Sequence, residues 1–200
     1  MSLSLQEFWG GDFGDEYHKR NRVDWRRRMK FWGQILDLTG ARSVWEWGCG
    51  PGWNLTAIQA CHGVGTDWDD SDVYRPWSPE VWGTECNESA IEQAQIAGLD
   101  VDQYAPDYEF ELAMTVGALI HVAPEDLQDV MQMIIDRSSD YVLAVEYFNE
   151  TPKEIEYHGQ KGKLWAMDYG KKYQQMGLKL IAQGGAGDGF DDCTFWLLRK

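Results

Sequence analysis

Basic residues are scarce in this chain. Its 200 residues include 18 lysines and arginines against 33 aspartates and glutamates, which gives a formal net charge of −15 at pH 7. Non-specific affinity for DNA and RNA comes from lysine and arginine side chains that displace counterions from phosphates. We therefore expect no nucleic-acid partner, unless a local basic patch overrides the global charge.

Cysteine is also scarce, and its spacing is wrong for a metal site. The four cysteines include no Cys-x-x-Cys pair, and Cys61 and His62 have no partner at metal-ligand spacing. The aspartates within residues 67–72 lack the glycine and the glutamate that a calcium loop requires. We predict reduced thiols and no metal site, as is typical of a cytoplasmic protein.

Long apolar runs are absent as well. The N-terminal stretch MSLSLQEFW has no basic region followed by a long apolar one, so we predict no secretory signal. The longest apolar run, around LAMTVGALIHVA, is too short and too interrupted to span a bilayer. We expect a cytoplasmic protein with no membrane partner. The choice between monomer and homodimer stays open.

Apolar residues follow alternating strand and helix patterns along the chain. Strands alternating with helices predict an α/β fold with a parallel sheet covered on both faces. We expect one domain over residues 1–200, with no linker or repeat, and an insertion at 62–80 that is rich in proline, glycine and aspartate. The predicted strands are 43–47, 81–86, 99–103, 110–117, 140–148, 179–185 and 194–200. The predicted helices are 23–39, 54–61, 124–137 and 163–176. A further helix is predicted between strands two and three, where Ser89 and Glu92 form a capping box and Gly98 ends the helix.

A glycine loop follows the first predicted strand. Residues 44–58 read VWEWGCGPGWNLTAI, with Glu46 before glycines at positions 48, 50 and 52. Dinucleotide-binding proteins use the spacing G-x-G-x-x-G, but here Trp53 occupies the place of the third glycine. Glu46 would also repel a diphosphate. These two features argue against a nicotinamide-dependent oxidoreductase.

S-adenosylmethionine suits this loop better. It has no phosphate, and it carries a zwitterionic amino-acid tail, a cationic sulfonium and a ribose diol. Bare backbone at Gly48, Gly50 and Gly52 lets the tail and the ribose lie against the loop, while Glu46 meets the ammonium group. We therefore predict S-adenosylmethionine as the cofactor, with Asn54 and Thr115 as further cofactor-binding residues.

A second acid is expected at the end of the second strand, where it would accept hydrogen bonds from the ribose hydroxyls. Asp67 lies 21 residues after Glu46, close to the usual spacing of about 20. Glu85 lies farther along, but it ends a good strand and precedes a capped helix. Asp67 follows a poor strand and precedes two prolines, Pro76 and Pro79. We choose Glu85 over Asp67.

The chain resembles class I S-adenosylmethionine-dependent methyltransferases, and more closely the pseudaminic acid biosynthesis-associated methylases. The resemblance covers nearly the whole chain. It is carried by FWGGDFGDEYHKRN near the N-terminus, TECNESAIEQA, FELAMTVGALIHVAPEDL, YVLAVEYFNETPKEIEYHG and the terminal DDCTFWLLRK. The long link at 62–80 and Glu111, in place of the family's more common aspartate, depart from that pattern.

The resemblance implies a Rossmann-like, seven-stranded sheet with an antiparallel last strand and a methyl donor above Gly48–Gly52. It also implies Glu85 on the ribose, an adenine contact near Asp102, and a sugar or nucleotide-sugar acceptor methylated on oxygen or nitrogen. Tyr17 and Arg20 match the family's opening segment, so we predict that they bind the cofactor from an N-terminal helical cap over residues 1–40.

Three residues are candidates for the chemistry of methyl transfer. His121 follows the fourth strand, and its ordinary pKa lies near neutrality, so it is the best candidate base. Glu146 and Tyr147 end the fifth strand and are expected to point to the mouth of the pocket. A structural His121 that hydrogen-bonds the backbone of a turn is the alternative. A cofactor-binding regulatory or scaffold domain without turnover is the alternative function.

Seven of the 18 lysines and arginines lie within residues 19–30. This basic stretch would suit an acidic small-molecule acceptor. For Arg26–Arg28 the solvated face of an amphipathic helix is the better interpretation. Trp68, Trp77 and Trp82, in or beside the insertion, are candidates for stacking on an acceptor.

Overall fold

The computed structural model describes residues 3–61 and 77–200. Seven strands form one sheet, and two short strands pair separately. The strands are β1 (Ser43–Trp47), β2 (Glu80–Thr84), β3 (Asp100–Asp102), β4 (Phe110–Val116), β5 (Ser138–Tyr147), β6 (Lys153–Glu154), β7 (Trp165–Ala166), β8 (Lys179–Gly185) and β9 (Cys193–Arg199).

The large sheet has the strand order β3-β2-β1-β4-β5-β9-β8. Strands β1 to β5 pair in parallel, whereas β9 runs antiparallel to both β5 and β8. The chain order reverses at β1, which lies between β2 and β4. The predicted sheet of seven mostly parallel strands with an antiparallel last strand is confirmed.

Helices cover both faces of the sheet. Neighbouring side chains of a strand point to opposite faces. Accordingly, Val44 packs with Trp32 and Ile58, while Trp45 packs with Ile134 and Tyr173 in a second core. The helices are α1 (Leu3–Gly10), α2 (Asp12–Arg20), α3 (Met29–Thr39), α4 (Trp53–Ala60), α5 (Glu88–Ile96), α6 (Leu127–Asp136) and α7 (Tyr169–Gln175), with 3₁₀ turns at Trp25–Arg28 and Leu119–His121.

The start of the helix predicted over 23–39 is wrong, because Trp25–Arg28 form a 3₁₀ turn and α3 begins at Met29. Two further helix starts also differ from the prediction. Helix α7 starts only at Tyr169, because the Asp168 carboxylate accepts a hydrogen bond from the Lys171 amide at 2.8 Å and caps the helix there. The residues before it form β7. At α5 the cap is Asn87, whose side chain accepts from the Ala90 amide at 2.9 Å, and Ser89 lies inside the helix.

The region of the predicted insertion is described only in part. Residues 62–76 lie outside the described residues, and with them Asp67 and Trp68. Strand β2 already begins at Glu80 and ends at Thr84, so Glu85 is the first residue beyond the strand. In the described ranges, no helix combines the length and the apolar composition needed to cross a bilayer.

Gly83 lies where β2 passes closest to the glycine loop and β3. A Cβ atom at this position would be 2.5 Å from Cys49 Sγ and 3.0 Å from side-chain atoms of Leu55 and Val101. We predict that Gly83→Ala lowers the free energy of unfolding by about 1–3 kcal/mol through overpacking, measured by urea denaturation. Gly185→Ala in β8 is the matched control, since no described atom lies within 4 Å of its added Cβ. Equal losses in the two variants would contradict the prediction.

Candidate functional site

A cavity of about 440 Å³ opens at the carboxyl ends of β1, β2, β4 and β5. This is the edge of a parallel sheet where ligands bind, and the volume is typical of a small-molecule site. Eight of the predicted site residues line its wall, namely Tyr17, Glu46, Gly48, Gly50, Asn54, Glu85, His121 and Tyr147.

The glycine loop joins β1 to α4 and forms the floor of the cavity. Gly48, Gly50 and Gly52 have φ angles of 72°, 53° and 79°, a region that side chains disfavour. The Gly48 and Cys49 amides donate to the Thr84 carbonyl at 2.8 and 3.1 Å, which fixes the loop to the end of β2. A Cβ atom on Gly50 would lie 3.2 Å from the His18 ring. Glycine is therefore needed for both the backbone shape and the close approach of α2.

Glu85 holds this loop from the side of β2. Its Oε2 accepts a hydrogen bond from the Gly50 amide at 2.8 Å, and its Oε1 accepts from the Cys86 and Asn87 amides at 2.8 and 3.0 Å. A carboxylate offers about four lone-pair sites, so three backbone donors leave capacity for one more. The second acid thus organises the loop and still faces the cavity.

Glu46 and Arg28 meet across Asn54. The Asn54 amide group donates to Glu46 Oε1 at 2.6 Å, and Arg28 Nη1 donates to Asn54 Oδ1 at 2.7 Å. Arg28 Nε also donates to the Gly189 carbonyl at 2.8 Å, and its guanidinium carbon lies 4.4 Å from the centre of the Phe190 ring. A carboxylate and a guanidinium therefore share one wall, and a bridging amide separates them.

Glu46 is the more unusual of these two groups. Its side chain is 1 % exposed, and its Oε2 has no hydrogen-bond partner among the described residues. Burial raises the pKa of Glu46 to about 8, although the Asn54 hydrogen bond and the Arg28 charge oppose this. Such a carboxyl gains most from a ligand that brings a positive charge or a donor to Oε2.

Arg28 corrects the interpretation of Arg26–Arg28 as a solvated face. The segment Trp25–Arg28 is a 3₁₀ turn rather than the start of an α-helix, so the α-helical period does not describe which side chains turn inward. Arg26 pairs with Asp24 at 3.5 Å on the surface, whereas Arg28 lines the cavity. No signal in the sequence separates these two arginines.

His121 lies at the cavity wall under an aromatic cluster. Its Nδ1 is 2.7 Å from the Lys163 carbonyl and therefore carries the proton that bonds it. The ring centre lies 4.5 Å from that of Trp9 and 5.2 Å from that of Tyr157. Burial lowers the pKa of His121 to about 4, so the ring is neutral at physiological pH. Because of this burial, His121 is a weaker base than its ordinary pKa near neutrality would make it.

Glu146 does not point to the mouth of the cavity, contrary to the prediction. Its side chain is fully buried, and it accepts hydrogen bonds from the Ala118, Leu119 and Ile120 amides at 3.2 to 3.3 Å. Burial raises the pKa of Glu146 to about 7. The residue caps the 3₁₀ turn that carries His121 and so acts through that turn, without touching the cavity.

Tyr147, the next residue, does reach the cavity. Its hydroxyl donates to Asp191 Oδ2 at 3.2 Å. Burial, followed by the charge of Asp191, raises the pKa of Tyr147 well above its ordinary value. The phenol is therefore a hydrogen-bond donor and not a base at physiological pH. Asp191, in the loop between β8 and β9, was not predicted from the sequence.

Four predicted cofactor residues lie outside the cavity wall. Gly52 packs against the Leu99 side chain, and Thr115 is fully buried within β4. The Asp102 carboxylate accepts from the Tyr104 amide at 3.1 Å, and the following residues 103–105 line the cavity in its place. Arg20 is exposed, with its guanidinium carbon 5.9 Å from the centre of the Phe13 ring.

Helices α1 and α2 form part of the cavity wall, and α2 approaches the glycine loop at Gly50. Trp9, Tyr17 and His18 from these helices line the wall. The Asn87 side chain donates to the Trp9 carbonyl at 3.1 Å and to Asp15 Oδ1 at 2.9 Å, which ties the helix pair to the start of α5. Trp9 and His18 were not predicted as site residues, although both lie in the N-terminal motif.

Two tryptophans that were candidates for stacking on an acceptor pack against other side chains, outside the cavity wall. The Trp82 ring packs beside Tyr108, at 6.2 Å between ring centres, and Trp77 lies under the Arg42 guanidinium. Neither lines the cavity. Across residues 3–61 and 77–200, no three His, Cys, Asp or Glu side chains are grouped in a way that would hold a metal ion.

Comparison with known proteins identifies the fold by structure and not by sequence. No protein-family model matches the chain, and no curated protein does. Among solved structures, magnesium protoporphyrin IX methyltransferase from Synechocystis PCC 6803 with bound S-adenosylhomocysteine superposes with a TM-score of 0.70 at 11 % identity, covering 98 % of each chain. The narrower resemblance to pseudaminic acid-associated methylases stays a prediction.

Two further methyltransferases have similar scores. The 1,6-didemethyltoxoflavin-N1-methyltransferase of Burkholderia thailandensis superposes with a TM-score of 0.67 at 14 % identity, covering 94 % of this chain and 85 % of the other. A sugar N-methyltransferase from Streptoalloteichus sp ATCC 53650 gives 0.66 at 11 % identity, covering 96 % and 93 %. The chain therefore has the Rossmann-like fold of class I methyltransferases.

The buried Glu46 carboxyl makes stability depend on pH. Between pH 4.5 and about 8 the unfolded chain has released this proton while the folded protein retains it, so raising the pH favours unfolding. One such proton contributes up to about 1.4 kcal/mol per pH unit. We predict that the free energy of unfolding of the wild type, measured by urea denaturation, is lower at pH 7.5 than at pH 5.5. We expect the difference between the two pH values to be smaller in Glu46→Gln. Glu146 acts in the same direction, whereas His121, whose pKa is lowered by burial, acts in the opposite direction up to its ordinary value of 6.5. Both groups are present in the wild type and in Glu46→Gln, so the difference between the two slopes reports Glu46. An unchanged slope in Glu46→Gln would contradict the prediction.

Proposed function

We propose that this protein is an S-adenosylmethionine-dependent methyltransferase that acts on a small molecule. The observation that carries the proposal is the shared wall of Glu46 and Arg28 beside a bare glycine loop. An amino-acid tail has one ammonium and one carboxylate, and this wall offers one acid and one guanidinium. The solved methyltransferases of the same fold support the proposal.

The tail is proposed to lie with its ammonium at Glu46 and its carboxylate at Arg28. Glu46 Oε2 is a buried acceptor with no hydrogen-bond partner in residues 3–61 and 77–200, and an ammonium group would satisfy it. Arg28 already donates through Nε and Nη1, and a guanidinium has five N–H donors, so donors remain for a carboxylate. This assigns the tail-binding cation to Arg28, not to Arg20.

The nucleoside is proposed to extend from the loop toward β2 and β3. Glu85 has capacity for one more hydrogen bond after its three backbone amides, and a ribose hydroxyl would use it. Residues 103–105 and Met133 line the cavity beyond Glu85, so the adenine is proposed to lie there, one residue past Asp102. The sulfonium then faces the part of the wall formed by Tyr17, Tyr147 and Asp191.

The chemistry needs little from the protein, because the methyl donor is already activated. The residues must align the acceptor in line with the methyl group and exclude water. Helices α1 and α2 are proposed to be the cap that excludes water, as part of one domain over residues 1–200. Glu146 is proposed as a positioning residue for the His121 turn. A sugar acceptor and a cytoplasmic location rest only on the sequence.

The cofactor assignment is tested by calorimetric titration with S-adenosylhomocysteine, with NAD as the parallel control. We expect one-site binding of S-adenosylhomocysteine and no heat from NAD. Glu85→Gln is expected to weaken binding at least about tenfold by losing a charge-assisted hydrogen bond, while Asp67→Asn leaves it unchanged. Binding of NAD alone would revive the oxidoreductase, and a loss in Asp67→Asn alone would overturn the choice of Glu85.

A second prediction tests whether Arg28 binds the amino-acid tail of the cofactor. Arg28→Met removes the guanidinium but keeps an apolar side chain beside Phe190, and we expect about a tenfold or greater loss of S-adenosylhomocysteine affinity. Arg26→Met is the matched control, because Arg26 is exposed, pairs with Asp24 and does not line the cavity. Calorimetry measures both, with circular dichroism to check folding. Equal affinities in the two variants would contradict the assignment of Arg28.

A further inference from the structure

One part of the cavity wall is formed by two phenols and one carboxylate. Tyr17, Tyr147 and Asp191 all line it. The Tyr147 hydroxyl donates to Asp191 Oδ2, and this leaves Oδ1 of the exposed Asp191 without a hydrogen-bond partner among the described residues. Burial and then the Asp191 charge raise the pKa of both phenols. The wall is therefore a negative charge bordered by neutral aromatic rings.

Arg28 is the cation of the described wall whose charge acts on Asp191. Under the proposed function, the N–H donors that Arg28 does not use for Asn54 and the Gly189 carbonyl bind the carboxylate of the cofactor tail, so Arg28 is not free to receive an acidic acceptor. His18 also lines the cavity, but burial lowers the pKa of its ring. An acceptor with its own carboxylate would approach Asp191 without a free cation to receive it, at an electrostatic cost.

Of the seven basic residues at 19–30, Arg28 lines the cavity and the other six do not. Lys19 pairs with Glu16 at 3.0 Å, and Arg27 pairs with Asp188, both on the surface. Beyond Arg28, which the cofactor tail is proposed to occupy, the stretch supplies no cation to the cavity wall. The expectation that these residues receive an acidic acceptor is therefore not supported by where their side chains lie.

We propose that the methyl acceptor is a small-molecule amine, whose nitrogen binds at Asp191 between the rings of Tyr17 and Tyr147. The carboxylate attracts the ammonium form, and the ring faces favour a positive charge through cation–π contacts. This inference rests on the proposed methyl-transfer function and names the class of substrate that the same site takes. Asp191 is then a substrate-binding residue.

The transfer step balances with this arrangement. The bound ammonium first loses a proton to water, and the free amine then attacks the methyl carbon with its lone pair. A nitrogen–carbon bond forms as the carbon–sulfur bond breaks, and the bonding pair stays on sulfur as a neutral thioether. The positive charge moves from sulfur to nitrogen, beside Asp191, and the methylated product leaves as an ammonium ion.

The state of His121 agrees with an amine better than with a hydroxyl. A hydroxyl acceptor requires a base whose pKa lies near the working pH. His121 is too weak a base for that role, since burial lowers its pKa to about 4. An amine supplies its own nucleophilic lone pair once its proton is lost, so it needs alignment more than a strong base.

The test compares three ligands that share one ring and differ in charge. Protein saturated with S-adenosylhomocysteine is titrated with benzylamine, benzyl alcohol and benzoate, and binding is followed by NMR of the indole N–H groups of Trp9, Trp47 and Trp53, which line the cavity. We expect benzylamine to bind at least about tenfold more tightly than benzoate. Asp191→Asn is expected to remove that preference and to leave the affinity for benzyl alcohol unchanged.

Asp192→Asn is the matched control, because it makes the same change of net charge one residue away and outside the cavity wall. It should keep the preference for benzylamine. Benzoate binding as tightly as benzylamine, no benzylamine binding, or equal losses in the two variants would each overturn the inference. Saturation with S-adenosylhomocysteine is measured first, so a failure of the proposed function appears there and is distinguished from a failure of the amine assignment.

Discussion

The hydrogen bonds from three backbone amides to Glu85 organise the rest of the site. They join the glycine loop after β1 to the turn after β2, across the point where the strand order reverses. Parallel strands bring these two ends to one edge of the sheet, and the carboxylate then fixes their separation. His18 of α2 packs against Gly50 of this junction, so the junction also sets how closely α2 approaches the glycine loop.

Two more carboxyl groups are buried, Glu46 in the cavity wall and Glu146 outside it, and they differ in what they do. Glu146 accepts three backbone hydrogen bonds and so fixes the turn that carries His121. Among the described residues, Glu46 accepts a side-chain hydrogen bond from Asn54 and keeps Oε2 without a hydrogen-bond partner. An unsatisfied buried acceptor destabilises the free protein. Under the proposed function, this cost is offset when the ammonium of the cofactor binds.

The fold and the loop could be predicted because their signals are local. The alternation of apolar segments located all seven strands of the sheet, and E-x-G-x-G-x-G marked the loop between β1 and α4. The errors were local as well. Asn87 replaced the predicted Ser89 cap, and α7 began later than predicted because Asp168 caps it. In both places the residue directly before the helix, Asn87 or Asp168, accepts a hydrogen bond from an amide of the first turn and so sets where the helix begins.

By itself, the sequence determined the order of strands and helices, the glycine loop and the acid at the end of β2, because these follow from periodicity and backbone conformation. Only the tertiary structure decided which side chains reach the cavity. Arg28 meets Asn54 from 26 residues away, and Asp191 meets Tyr147 from 44 residues away. The pKa values of His121 and Glu146 were likewise set by burial, which arises only when the helices pack on the sheet.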